Sequence, residues 1–315
     1  MQVALAQTAP VFLDRKKTLQ KVVERMHAAA GADLIAFGEA LVPGYPFWVE
    51  RTDGARFASA EQERWHAAYQ REAVQIERGD LSTVCEAARE LRMAVYIGVI
   101  ERPRARGGHS LYASLVFIDT TGVIRSVHRK LMPTYEERLV WSTGDGNGLV
   151  THEFGEFVLG GLNCWENWMP LTRTALYAQG ENVHVAVWPG GTSNTELITR
   201  FIARESRSYV ISVSGLMRPA DWEQADLPEG VSLAAEGTWA NGGSCVAAPD
   251  GSWLIEPVAD EDVTLTATLS IDAIRAARHN FDPVGHYARP DVTRLHVDRT
   301  RQEVGHFHDG ADTGE

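Results

Sequence analysis

A chain of 315 residues, 44% hydrophobic and 23% charged, has the length of one large or two ordinary domains and the balance of a folded protein, not a disordered or fibrous one. A formal charge of −12 argues against nucleic acid or anionic membrane as a partner, and no apolar run approaches the roughly 18 residues of a membrane span. The opening MQVALAQTAPVF does not read as a signal peptide, and three widely spaced cysteines form neither a disulfide framework nor a zinc motif, so a reducing cytoplasm is the expected compartment.

In chain order, QVALAQ (2–7) reads as a strand and residues 17–30 as a helix with Leu19, Val22, Val23 and Met26 on one face. DLIAF (33–37) is a second strand and LSTVCEAARELR (81–92) a second helix. Three β-rich runs follow, AVYIGVIE, SLYASLVFID and GVIRSVHRK, with DTTG (119–122) turning the chain between the last two. FGEFVLGGLNC (154–164) is a strand, and a helix is expected from Pro170 to Gln179, with proline at its first turn and Gly180 at its end. HVAVWP, NTELITRFIARESRS and YVISVSG then read as strand, helix and strand. GSCVAAPDGSWLIEP is a hairpin closed by Asp250-Gly251, and VTLTATLS and IDAIRAARHN end the regular part. Strands apolar on both faces alternate with helices, and they are too many for one comfortable open sheet. The expectation is an α/β chain with two face-to-face sheets covered by helices, followed by a polar tail from about residue 282 with a mobile GHFHDGADTGE end.

Ligands of open α/β sheets bind beyond the carboxyl ends of the strands. Three reactive groups stand there: Glu39 after DLIAF, Lys130 at the end of GVIRSVHRK, and Cys164 at the end of EFVLGGLNC. A thiol needs a base or a positive field to become nucleophilic, a carboxylate supplies the first and an ammonium the second. The helix entered after Cys164 is expected to add its N-terminal partial charge. Taken singly, each has a plainer reading, a packed cysteine or a solvated loop residue; it is the combination that points to catalysis. Cys85 and Cys245 read as core, and Cys164 has no resolving cysteine nearby, which weakens a redox role. The GDGNG loop (144–148) neither follows the right strand nor opens a helix, so it is no dinucleotide fingerprint, and His306 and His308 sit in a tail poorly placed for a metal.

FGEALVPGYP (37–46), HRKLMPTYEERLVW (128–141) and LNCWENWMPL (162–171) resemble the three signature blocks of the nitrilase superfamily, and RFIARESRSYVIS (200–212) and DPVGHYARPDV (282–292) resemble its nitrilase branch. The resemblance spans almost the whole chain. It implies a four-layer α-β-β-α sandwich over residues 1–281, with 282–315 an extension for oligomer contact. It implies a Glu39–Lys130–Cys164 triad, with Glu137 as a second glutamate that orients Lys130. It implies hydrolysis of a small-molecule nitrile by two waters to acid and ammonia, through a covalent thioimidate and acyl-thioester, with no metal or organic cofactor. CWE at 164–166 resembles the nitrilase branch more than the amidases and carbamoylases, which remain the alternative; a catalytically silent scaffold is disfavoured by the presence of all three groups. Tyr45, Trp165 and Trp188 are the expected substrate-binding residues. GGTSN (190–194) and the 217–237 loop align with no motif, so the nitrile is not specified. The resemblance further implies a homo-oligomer, a dimer or a spiral built from dimers.

Overall fold

The computed structural model describes residues 1–222, 225–231 and 237–305. The first half of the chain forms β1 (Gln2–Gln7), α1 (Arg15–Ala28), β2 (Leu34–Phe37), α2 (Trp48–Arg51), α3 (Ala60–Glu72), α4 (Ser82–Leu91), β3 (Ala94–Glu101), β4 (Tyr112–Ile118) and β5 (Ile124–Arg129). The second half forms β6 (His152–Phe154), β7 (Phe157–Asn163), α5 (Pro170–Tyr177), β8 (Val183–Trp188), α6 (Thr192–Ser206) and β9 (Tyr209–Ser214). It continues with β10 (Leu216–Met217), α7 (Pro219–Trp222), β11 (Ala240–Ala247), β12 (Trp253–Ala259), β13 (Val263–Thr268) and α8 (Ile271–Arg278).

The strands make two sheets. One runs β13-β1-β2-β3-β4-β5, with β1, β2 and β3 parallel; the other runs β10-β11-β9-β8-β7-β6, with β12 added on β11 and β7, β8 and β9 parallel. The two-residue period of each strand decides what meets what. Val3, Leu5, Leu34, Ala36 and Tyr96 face Val183, Val185, Val187, Ile211 and Val213 of the other sheet. The alternate residues Ala4, Ile35, Phe37 and Val95 lie under Val22 and Met26 of α1 and Val84 and Ala88 of α4. On the far side Ala186, Trp188 and Val210 lie under Ile198, Ile202 and Ala203 of α6. Each such aliphatic side chain contributes about 1.5–3 kcal/mol on leaving water. The result is the four-layer α-β-β-α sandwich.

Three details depart from the sequence reading. Helix α3 was not expected: its sequence is largely polar, and only Trp65, Ala68 and Tyr69 are buried, too few to set up a helical period. The run 154–164 is broken at Gly155, whose φ of 60° turns the chain between β6 and β7. The helix after Cys164 begins only at Pro170; Cys164–Trp168 is a 3-10 turn, so the thiol does not sit at the N-terminus of α5.

Beyond α8 the chain returns to the body. Arg301 pairs with the buried Asp145 at 2.9 Å and donates to the Val127 carbonyl of β5, while the Gln302 N–H donates to Asp145 at 3.0 Å. The Asp145→Ala variant is expected to lose about 2 kcal/mol of stability, the scale of hydrogen bonds to a charged acceptor. Limited trypsin digestion checks it: cleavage at Arg294, Arg299 or Arg301 should precede cleavage elsewhere in the variant and not in the parent. Among the described residues no helix is long and apolar enough to cross a membrane. The tail from His306 onward, with His308, and part of the 217–237 loop lie outside the described residues.

Candidate active site

Backbone geometry delivers each group. Glu39 stands two residues past β2, and its N–H donates to the Trp188 carbonyl at the end of β8, so it is tied to both sheets. The chain passes so close to β3 that a Cβ on Gly98 would lie 2.2 Å from the Gly38 carbonyl oxygen, which makes glycine necessary there. Lys130 directly follows β5, its N–H donating to the Ala113 carbonyl at 2.8 Å. Cys164 directly follows β7 with a φ of 47°, the left-handed region that non-glycine residues enter at a cost of about 1–2 kcal/mol. That turn throws the thiol out of the β7 plane toward the other two groups.

The four side chains converge in the interior. Lys130 Nζ lies 2.9 Å from Glu39 Oε1 and 2.7 Å from Glu137 Oε2, and all three side chains are essentially without solvent contact. Carboxylate oxygens of Glu39 and Glu137 and the Cys164 sulfur lie within 4.8 Å of one another. That spacing would also suit a metal ion, but the Lys130 ammonium already stands among these groups and supplies the positive charge.

The two glutamates are not equivalent. Glu137 is fully engaged: it accepts from Lys130, from the Thr134 N–H at 2.6 Å and from the Tyr45 hydroxyl at 2.9 Å. Glu39 meets the Lys130 ammonium at 2.9 Å and, among the described residues, its oxygens take no other donor. A buried carboxylate with free lone pairs beside a thiol is a base in waiting.

Electrostatics follow from burial. Burial pushes the Glu39 carboxyl up, the Lys130 ammonium pulls it back and the Glu137 charge pushes it up again, leaving it at about 8. Burial likewise raises the Cys164 thiol, against the pull of Lys130 and a hydrogen bond from the Trp165 N–H. Lys130 is held above its ordinary value: burial opposes its charge, but the Cys164, Glu39 and Glu137 groups outweigh burial, so it stays an ammonium. The Glu39 carboxyl and the Cys164 thiol are thus both held toward their protonated forms, beside a lysine that is held charged.

The expected substrate-binding residues divide. Tyr45 lines a narrow cleft over Glu39 with Pro10, Leu41, Phe47, Leu216 and Met217. Trp188 has its ring wholly buried under α6, in the same apolar cluster as Cys164, and its carbonyl accepts the Glu39 N–H. Trp165 turns outward, 52% exposed, with its ring 6.3 Å from that of Trp168.

Two residues of the CWEN stretch have partners that sequence reasoning missed. Glu166 is buried, accepts from the Leu131 N–H at 2.6 Å and the Asn163 N–H at 2.9 Å, and lies 3.0 Å from His128 Nε2. Burial pushes its carboxyl up, but His128 and these donors hold it below the usual range. The N-x-x-E spacing of a capping box was the available signal. Asn167 donates to the Cys164 carbonyl at 2.8 Å and is braced by His184, itself paired with Glu181 at 2.8 Å.

Residues 2–279 match the carbon-nitrogen hydrolase family. The chain belongs to that family. This carbon-nitrogen hydrolase is 39% identical to Nitrilase 2 of an unknown prokaryotic organism, over 97% of its own length and 95% of the relative's. It is 37% identical to a nitrilase of Pseudomonas syringae pv. syringae strain B728a, over 94% and 89% of the two chains. An aliphatic nitrilase of Rhodococcus rhodochrous is 34% identical, over 95% and 82%. Among solved structures, a carbon-nitrogen hydrolase from Helicobacter pylori G27 superposes with a TM-score of 0.68 at 17% identity, covering 92% of this chain and 96% of that one. An amidase from Nesterenkonia sp. superposes with a TM-score of 0.62 at 21% identity, over 87% and 92% of the chains. At these identities the two structures speak for the shared fold, and the enzyme is a hydrolase of carbon–nitrogen bonds.

Proposed function

We propose that this carbon-nitrogen hydrolase is a nitrilase, converting an organic nitrile and two waters to a carboxylic acid and ammonia. The observation that carries the reading is the buried meeting of Cys164, Lys130 and a Glu39 that Lys130 alone engages, in a chain whose relatives at 34–39% identity are named nitrilases. Glu39 takes the proton of Cys164 as the sulfur adds to the nitrile carbon and passes it to the nitrogen, so that one C–N π bond is exchanged for a C–S bond, a thioimidate forms and the carboxylate is restored. Lys130 hydrogen-bonds to the nitrogen as charge develops there. Water deprotonated by Glu39 adds to the same carbon, Glu39 hands that proton to the nitrogen, and as the C–N bond breaks the nitrogen takes the second water proton and leaves as ammonia, so that an acyl-thioester remains. A second water, activated in the same way, breaks the C–S bond and releases the acid. Glu137 positions Lys130 and takes no proton in this scheme. Of the three aromatic residues expected at the substrate, Tyr45 has support from its hydroxyl, which donates to Glu137 at 2.9 Å beside Lys130. The exposed apolar residues Trp165, Trp168, Met169, Leu171, Leu197 and Phe201, with the 282–315 extension, support self-association of the 1–281 body, and light scattering of the full chain tests it.

Incubation with aliphatic, arylaliphatic and aromatic nitriles beside the matching amides, with product identification, tests the reaction. Acid and ammonia from nitriles support the proposal, and turnover of amides alone overturns it. The pH profile gives a second check. Glu39 acts only when ionised, and burial places its carboxyl at about 8, so kcat/KM is expected to rise with pH through that region instead of levelling off near 5. Glu39→Gln should abolish that limb and lower kcat by about 10²–10⁴-fold, the usual worth of a general base.

A further inference from the structure

We propose that Glu166 is a positioning residue that holds the Lys130 ammonium and the Cys164 thiol in register across the sandwich. Strands β5 and β7 belong to different sheets, so no backbone ladder sets the distance between their ends. Lys130 follows the first and Cys164 the second. Among the described residues, the hydrogen-bonding groups that reach from 128–131 to 163–166 are His128 Nε2 and the Leu131 N–H, and both end on the Glu166 carboxylate. The same carboxylate accepts the Asn163 N–H. Its two backbone donors are therefore the residue immediately after the ammonium and the residue immediately before the nucleophile. The side chain has no solvent contact, so water cannot replace a lost partner.

An ionised carboxylate suits this place because three donors converge on it and a carboxylate only accepts. A glutamine of the same shape turns its amide N–H group toward one of those donors, and the contact becomes a repulsion. The ammonium then stands farther from the sulfur, and the thiolate loses part of the positive field that forms it.

The inference rests on Cys164 being the nucleophile but not on the substrate being a nitrile, so the test uses a simple alkylating agent. Iodoacetamide modification of the full-length protein is followed by mass spectrometry at Cys164 and at the half-buried Cys85 across a pH series, with thermal melts of each variant. Glu166→Gln is expected to slow alkylation of Cys164 about ten-fold at neutral pH and to move its midpoint up by about one unit, a ten-fold loss of thiolate, with Cys85 unchanged. Should that variant fail to fold, Glu166→Asp keeps the charge but reaches only one of the two backbone donors, and a smaller upward shift is expected. An unmoved Cys164 midpoint in a folded variant, or equal changes at Cys164 and Cys85, overturns the proposal. An active clamp together with no nitrile turnover would overturn the nitrilase reading alone.

Discussion

The Cys164→Ala variant is expected to lose nitrile hydrolysis by at least about 10⁴-fold in kcat while keeping its fold, because removal of a nucleophile leaves only binding and polarisation. The φ of 47° at this position is borne equally by alanine and cysteine, so the substitution adds no backbone strain. The sulfur occupies a small buried volume beside the Glu39 and Glu137 carboxylates, and alanine leaves that volume empty, a small cavity that costs about 1 kcal/mol. Steady-state kinetics and a thermal melt together check this. A brief exposure of the parent enzyme to substrate, followed by intact-mass analysis, should show an adduct on Cys164 that is absent in the variant. An adduct on Cys85 or Cys245 instead would contradict the assignment.

Lys130→Met should have the largest effect on stability. Methionine fills most of the lysine volume, but it leaves Glu39 and Glu137 buried and facing each other without the ammonium that stands 2.9 and 2.7 Å from them. Removing one partner of a buried ion pair typically costs about 3–5 kcal/mol. The sign with pH follows from proton binding. Without the ammonium the folded state holds the Glu39 carboxyl still further above its unfolded value, so it binds a proton that the unfolded chain releases. Below about 8 parent and variant both keep that proton and lose stability in parallel, so the extra loss in the variant grows only as pH rises through and above about 8, where the parent releases the proton and the variant does not. Thermal melts at about pH 7 and about pH 9.5 test this: the gap between parent and variant is expected to widen at the higher pH. Activity should fall by at least about 10³-fold, since both the positive field on the thiol and the donor to the substrate nitrogen are gone.

Much of this architecture was legible residue by residue. Strands such as Val183–Trp188, apolar on both faces, announce a sheet covered on both sides, and the turn residues of Asp250-Gly251 and 119–122 mark their hairpins. Glu39, Lys130 and Cys164 were visible because strand ends are where such groups gather. Helix α3 was not, since its buried residues Trp65, Ala68 and Tyr69 pack against Trp48 and other distant segments and give the local sequence little period. Glu166 was passed over for a related reason: its spacing from Asn163 signals a cap, but its bond to the Leu131 N–H joins positions 35 apart. The aromatic residues show the same limit. Trp188 ends a strand as a pocket residue would, and the pleat nevertheless turns its ring to the helix side.

What the sequence by itself determined is therefore local: the period of each strand and helix, the turns between them, and the three reactive groups set at strand ends. The family motifs in 37–46, 128–141 and 162–171 belong with these, since each is read along a single stretch of chain. The motifs already gave Glu39 and Glu137 different expected roles, but only the tertiary structure decided how each carboxylate is held. Glu137 is saturated by Lys130, Tyr45 and Thr134, whereas Glu39 meets Lys130 alone, and no spacing along the chain shows that difference. The physical reason is that hydrogen-bond saturation and desolvation are properties of a packed interior. They come into being when two sheets meet face to face, and they leave Glu137 saturated and Glu39 the less engaged of the two.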